Sequence, residues 1–268
     1  MKILTNTFKL NNGIEIPVVG FGTWKIKEGD QAYESTLLAL KNGYRHIDTA
    51  AMYENELSIG RAIKDSKIPR EEIFVTTKLS PKIKTYEETK KAFNQSLKNL
   101  DLDYIDLYLI HTPWSWDELG KDCNKRNNAI YRAMEELYFQ DKIKAIGISN
   151  FVVNDMKNII DNNTIIPMVN QIRYSIGVNQ SKVIEYCKNQ NIFVVAYSPL
   201  DKGNLLQNKY VIKMANKYQV SPAQICLRYL IQKGVGVIPK SVHEKYIQEN
   251  IQLDFHIDER DMIFLDFL

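Results

Sequence analysis

The feature that most limits what this chain can fold into is a repeated unit. A short apolar, β-branched run ends in polar residues, and a longer stretch of helical period follows. The runs occupy 18–22, 45–47, 73–77, 104–110, 143–148, 167–170, 192–197 and 235–239, eight in all. Between them, stretches such as 29–42, 55–66, 86–100, 126–141, 152–163, 180–190 and 209–219 repeat apolar residues three and four apart, as amphipathic helices do. Strands that are apolar on both faces and separated by helices imply a parallel sheet. Eight such units in roughly 250 residues predict an α/β fold, a single (β/α)8 TIM barrel. A doubly wound open sheet is the alternative that the pattern leaves open. The 268 residues leave little for a second unit, so one barrel domain over 1–268 is expected. Residues 8–17 read differently. Apolar and polar residues alternate around Asn12-Gly13, a strong hairpin signal, and such a hairpin would close one end of the barrel.

Composition narrows the function classes. With 44% hydrophobic and 25% charged residues, neither a disordered chain nor a coiled coil fits. A net charge of +3 is too small and too dispersed for nucleic-acid binding. Cys123, Cys187 and Cys226 are far apart and odd in number, so neither a disulfide framework nor a zinc knuckle is expected, and a reducing compartment is implied. The first ten residues hold no signal-peptide core, and no apolar run approaches a membrane span. A cytoplasmic protein without membrane association is expected.

The polar residues at the strand ends carry the chemistry. Asp48, Lys78, His111, Ser149, Asn150, Gln171, Ser198, Lys240 and Ser241 follow successive runs. In a barrel all of them lie on the C-terminal face, where barrel active sites form. Tyr53 lies five residues after Asp48. A buried Asp48 needs a cation, and Lys78 can supply it. An ammonium close to a phenol favours phenolate, so Lys78 is expected to lower the Tyr53 pKa and make it a general acid. His111 can hydrogen-bond a carbonyl oxygen and fix its direction. Together these groups polarise and protonate a carbonyl while a cofactor delivers hydride. A purely structural Asp48–Lys78 ion pair in a polar barrel mouth is the competing reading. No metal is expected, because the four histidines are scattered without metal-ligand spacing. A serine hydrolase lacks its GxSxG elbow.

The pair Gly20-Phe21-Gly22 lacks the third glycine of a dinucleotide fingerprint and marks a tight turn. The phosphate candidate is instead the segment 237–250. There Lys240 and Ser241 precede a predicted helix, whose N–H groups and dipole favour an anion. A plain capped helix is the other reading of this segment.

These residues together resemble the aldo-keto reductase family, among its shorter members. The stretch 43–60, GYRHIDTAAMYENELSIG, is similar to the family's first signature. VTTKL (75–79), LYLIH (107–111), GISNF (147–151), NQ (170–171), YSPL (197–200) and IPKS (238–241) follow in the family's order. The resemblance covers essentially the whole chain. It implies a barrel that binds a nicotinamide cofactor in extended form. The family's catalytic tetrad falls on Asp48, Tyr53, Lys78 and His111, with Tyr53 as proton donor. The nicotinamide would stack on Tyr197, its carboxamide held by Ser149, Asn150 and Gln171. Gly22, Thr23 and Trp24 would line the mouth near the ring, and Trp24, Tyr53, His111 and Trp114 would meet the substrate. Ser198 and Leu200 would contact the pyrophosphate. Ile238, Lys240 and Ser241 would lie along the adenosine 2′-phosphate, and Tyr246, Glu249 and Asn250 at the adenine end.

Three departures from the family pattern shape the expectations. Tyr246 stands where the family has an arginine that pairs with the 2′-phosphate. A tyrosine can stack but loses the bidentate contact, so NADPH is expected over NADH by a smaller margin, with NADH use left open. Ser80 and Thr112 stand where many relatives have tryptophan, which suggests a more polar pocket. The sequence ends at Leu268 with 255–268, a final docked helix by its spacing, so little is left for a lid and broad small-carbonyl specificity is expected. The expected function is reduction of aldehydes and ketones by hydride transfer from NADPH, with a small-molecule carbonyl as partner and a monomer or weak dimer as the assembly. Two other readings are carried forward: a barrel lyase or isomerase with Lys78 as a Schiff-base amine, and a cofactor-sensing barrel that does not turn over.

Overall fold

The computed structural model describes residues 3–119 and 121–268. Two short strands come first, β1 (Thr7–Lys9) and β2 (Glu15–Pro17), paired antiparallel with Phe8 opposite Ile16. The Asn12-Gly13 turn joins them, with Gly13 at φ +90°, a conformation glycine adopts without steric cost. This hairpin packs on the N-terminal ends of barrel strands. Phe8 meets the ring of Phe193 at 4.4 Å. The Asn11 and Asn12 amides donate to the carbonyls of Pro167 and Lys144 at 3.3 and 2.9 Å.

Eight strands then form one parallel sheet in sequential order: β3 (Phe21–Gly22), β4 (His46–Asp48), β5 (Phe74–Leu79), β6 (Ile105–Ile110), β7 (Ile143–Ser149), β8 (Val169–Arg173), β9 (Phe193–Tyr197) and β10 (Gly236–Val237). Each overlaps one of the eight apolar runs. The first and last strands meet across a seam. Val237 N donates to Val18 O at 2.9 Å, Gly20 N to Val237 O at 2.8 Å, and Gly22 N to Pro239 O at 3.0 Å. The sheet therefore curls onto itself, as the barrel reading requires. A Cβ on Gly22 would lie 2.6 Å from the Ile238 carbonyl oxygen, so the seam needs glycine there.

The helices between strands are α1 (Asp30–Lys41), α2 (Glu56–Asp65), α3 (Tyr86–Leu100), α4 (Asn124–Phe139), α5 (Val153–Asn162), α6 (Ser181–Asn189), α7 (Lys209–Tyr218) and α8 (Pro222–Gln232); α9 (Glu244–Glu249) and α10 (Glu259–Asp266) follow the last strand. Most follow the predicted stretches closely. In α3, Thr85 and Glu88 form a reciprocal capping box, which fixes its start. Helix α4 begins two residues earlier than its apolar period predicts. The Asp122 carboxylate accepts from Asn124 N at 2.8 Å and starts it ahead of its apolar stripe. Helix α8 lies outside the predicted stretches although Ser221, Pro222 and Gln224 form a strong N-terminal signal. Helix α10 is docked, as expected, through Asp261 to Lys217 and Tyr218 and through Asp266 to Tyr229 and Lys233. Among the described residues, no helix is long and apolar enough to cross a membrane. Cys123, Cys187 and Cys226 are free.

Candidate active site

Strand parity places the site. Side chains two apart on a strand share a face, so His46 and Asp48 on β4, and Thr76 and Lys78 on β5, form two layers. His46 Nε2 and Thr76 Oγ1 lie 2.9 Å apart in the lower layer. Above it, Lys78 Nζ donates to Asp48 Oδ1 at 2.6 Å, to the Thr49 carbonyl at 2.8 Å and to the Tyr53 hydroxyl at 3.4 Å. Both partners of the ion pair are buried. The second carboxylate oxygen, Oδ2, accepts from Gln171 Nε2 of β8 at 2.7 Å. A buried charge needs such full pairing. Burial works against the Lys78 charge, yet Asp48 and Tyr53 hold its pKa above the ordinary lysine value. Lys78 is therefore an ammonium and not a free amine, which removes the nucleophile that a Schiff-base mechanism needs.

Tyr53 ends a 3-10 turn, Ala51–Tyr53, in the loop between β4 and α2. That loop is fixed from below by Asn55, whose amide donates to the carbonyls of Thr23 and Ile26, both at 3.0 Å, and accepts from Thr49 Oγ1 at 2.8 Å. His111 follows β6. Its ring meets the Tyr53 ring edge-on, with centroids 5.7 Å apart. Burial, aided by the Lys78 charge, pushes its pKa down to about 3, so the imidazole is neutral. Its Nδ1 is buried without a hydrogen-bond partner, so an incoming group would meet the ring through Nε2. One expectation is corrected here. Lys78 does pull the Tyr53 phenol down, but burial is the larger effect and holds it above its ordinary value of 10.0. In the free protein Tyr53 is thus a firmly protonated acid, with Lys78 limiting the rise rather than reversing it.

The residues expected around the nicotinamide are wired to this tetrad. Asn150, in the left-handed region at φ +64°, donates to the His111 carbonyl and to Ser149 Oγ, both at 3.0 Å. Its Oδ1 accepts from the Tyr197 hydroxyl at 2.7 Å. Ser149 Oγ donates to Gln171 O at 2.8 Å. With Nε2 of Gln171 committed to Asp48, its carbonyl oxygen is the free end. An amide acceptor beside a pinned tyrosine ring suits a carboxamide-bearing aromatic ring. Thr23 anchors the rim by donating through N and Oγ1 to Asp48 O at 3.0 and 2.9 Å. Trp24 is exposed, with Lys25 Nζ 4.7 Å from its ring. Gly22 is a buried seam residue. Thr112 is spent internally on the Trp114 carbonyl, so it adds less polarity to the pocket than its side chain implies. Nothing is described of the Trp116 side chain.

The remaining predicted cofactor residues form a second group. Ser198 is left-handed at φ +51°, and Leu200 is half-buried. Ile238 N donates to Ala196 O at 3.3 Å, which sets the segment after β10 beside β9. There Lys240 is exposed, and Ser241 Oγ accepts from His243 N at 3.1 Å. Tyr246, half-exposed, meets the His243 ring edge-on at 5.8 Å. Glu249 and buried Asn250 close α9. The tetrad and the carboxamide group thus converge in the barrel mouth, while the adenine-end group lies along the following segment. Sequence reasoning missed the Thr49 carbonyl, Asn55 and an Arg173–Asp201 pair. Thr49 and Asn55 both lie inside the 43–60 stretch, but Thr49 meets Lys78 through its carbonyl, whereas Asn55 acts through its side chain, which a sequence signal can name. Among the described residues no group of three or more His, Cys, Asp or Glu is placed to hold a metal ion.

Comparison with known proteins identifies the family. Residues 18–266 match the Aldo/keto reductase family. The chain is 45% identical over 266 residues to glyoxal reductase of Bacillus subtilis, covering 99% of this chain and 93% of that protein. It is 40% identical over 269 residues to the NADP(+) glycerol 2-dehydrogenase of Saccharomyces cerevisiae, covering 92% of this chain and 85% of that one. An aldo-keto reductase crystal structure from a Medee basin deep-sea metagenome library superposes with a TM-score of 0.90 at 46% identity, over 96% of this chain and 93% of that one.

Proposed function

The chain belongs to the aldo/keto reductase family, and from that premise and the tetrad geometry we propose that it reduces aldehydes and ketones to alcohols with NADPH. The observation that carries this reading is the buried Asp48–Lys78–Tyr53 chain beside a neutral His111. A structural ion pair alone would not need a tyrosine hydroxyl on the ammonium or an imidazole left with unused hydrogen-bonding capacity. The same arrangement argues against a barrel that only senses a cofactor.

NADPH, when bound, supplies hydride to the carbonyl carbon. Tyr197 would give its ring a platform, the Gln171 side-chain oxygen would accept from the carboxamide N–H, and Ser149 or Asn150 would donate to the carboxamide oxygen on releasing one of its present hydrogen bonds. Ser198 and Leu200 would take the diphosphate, and Lys240 with Ser241 the 2′-phosphate. Tyr246 would offer a ring to the adenine, with Glu249 and Asn250 beside it. Because Tyr246 brings no cation, NADPH is preferred over NADH by a modest margin, which leaves room for NADH as a second cofactor. Comparing kcat/KM for the two cofactors checks this; a clear NADH preference contradicts it.

The carbonyl oxygen is held by His111 and by the Tyr53 hydroxyl. Tyr53 donates its proton as negative charge develops on that oxygen. Lys78 stabilises the resulting phenolate, and Asp48 keeps Lys78 in place. One barrel carries both cofactor and substrate, and small polar carbonyls, α-dicarbonyls among them, suit a mouth that lacks tryptophan at Ser80 and Thr112, with Ser80 the more polar of the two because the Thr112 hydroxyl is spent on Trp114. The test is loss of NADPH absorbance on adding glyoxal and a panel of aldehydes. Tyr53→Phe should abolish turnover and leave NADPH binding nearly unchanged, because it deletes a group used mainly in the transition state. Full activity in that variant overturns the mechanism.

A further inference from the structure

The end of β8 carries a guanidinium that the tetrad does not use. Arg173 lies two residues past Gln171, hence on the same face of the strand, and is in register with Tyr197 of β9. Its Nη2 donates to Asp201 Oδ1 at 2.7 Å. The other oxygen of Asp201 accepts from Asn204 Nδ2 at 3.0 Å. Asp201 is the residue after Leu200, and its N–H closes a turn on Ser198 O at 2.9 Å. Asp201 and Lys202 both adopt left-handed backbone, at φ +46° and +56°, which non-glycine residues hold only when their surroundings fix them. The pair therefore joins the nicotinamide platform to the segment assigned above to the diphosphate.

We propose that Arg173 is a ligand for the cofactor's diphosphate and that Asp201 occupies its guanidinium in the free protein. This rests on the reading that Ser198 and Leu200 take the diphosphate of a nicotinamide dinucleotide. Carboxylate and phosphate offer a guanidinium the same kind of anionic oxygen pair, so one can replace the other without rebuilding the arginine. About half of the Arg173 side chain is accessible. When the diphosphate shares that cation, Asp201 becomes a neighbouring like charge. Asp201 thus opposes binding while Arg173 favours it. An ion pair that merely ties the loop down behaves otherwise, since losing either partner loosens it equally.

NADPH titration of the full chain, read by cofactor fluorescence, separates these cases. Arg173→Met should raise Kd by about tenfold or more, the effect of one charge-assisted contact, and should weaken its salt dependence. Arg173→Lys should fall between the two. Asp201→Asn should lower Kd several-fold, and asparagine tolerates the left-handed backbone at that position. Melting temperatures close to the unsubstituted chain show that the variants fold. A parallel rise of Kd in the Met and Asn variants, or no change in Arg173→Met, overturns the assignment of Arg173. Failure of the unsubstituted chain to bind NADPH overturns instead the cofactor reading beneath it.

Discussion

At the scale of single residues, Lys78 decides most. It directs hydrogen bonds to Asp48, to the Thr49 carbonyl and to Tyr53, so it serves both stability and the acid. Lys78→Met strands the Asp48 carboxylate with Gln171 as its remaining donor. Breaking one side of a buried ion pair costs about 3–5 kcal/mol, and chemical denaturation should show a loss of that order. The same variant takes away the one influence that holds the Tyr53 phenol down against burial, so turnover should disappear while the melting transition stays cooperative. A variant that keeps most of its activity would mean that Tyr53 does not need the ammonium. Asp48, Lys78 and His111 were legible because each ends or follows an apolar run, and Tyr53 because a phenol lies in the loop just after Asp48. The Thr49 carbonyl was not, because every residue has one and only the folded turn aims it. The direction of the Tyr53 shift was not legible either. Sequence names the neighbouring charge but not the depth of burial, and burial is the larger effect.

Elements are placed by close approaches that a pattern of apolar residues does not reveal. Helix α2 carries Gly60, and an added Cβ there would lie 2.3 Å from the Leu100 carbonyl oxygen at the end of α3. That obstacle is backbone, fixed by the left-handed Asp101 that ends α3, so it cannot swing aside. Gly60→Ala should therefore destabilise the protein even though alanine is the better helix former by about 1 kcal/mol. Overpacking of this kind costs about 1–3 kcal/mol or more. Because α2 follows the Tyr53 loop directly, the reaction rate should drop along with stability. Gly29, where an added Cβ meets nothing, is not a matching control, since its φ of +93° strains any side chain. The informative comparison is Gly60→Ser, which should be at least as damaging. An unchanged melting temperature in Gly60→Ala would show that α2 and α3 can separate freely. The eight strands themselves were legible, because burial on both faces leaves a run of apolar residues. Helix α4 started earlier than its stripe because Asp122 supplies an acceptor that apolar periodicity ignores.

Over the whole molecule, closing eight strands into a barrel forces polar side chains into a dry interior, and two of these are histidines. His46 is wholly buried against Thr76, and burial pushes its pKa down to about 4. His111 falls to about 3 for the same first reason. Both values lie below the ordinary histidine value of 6.5. For a group whose folded pKa is depressed, stability is complete above the unfolded value and is lost as pH falls towards the folded one. The unfolded chain takes up two protons that the barrel refuses, at up to about 1.4 kcal/mol per pH unit for each. Between pH 6.5 and 5 the pair should cost about 3 kcal/mol, a large share of a typical total of about 5–15 kcal/mol. Carboxylates held low by partners, such as Glu118 and Asp201, enter only at lower pH. Asp106 and Asp155, raised by burial, work weakly in the opposite sense. Urea midpoints should thus fall steeply from pH 7 to pH 5, before most carboxylates titrate. His46→Asn should start less stable at pH 7 and lose less on acidification, because one of the two refused protons is gone. A wild-type midpoint that stays level across that interval would show that the barrel accepts the protons, and the neutral imidazole assigned to His111 would fall with it.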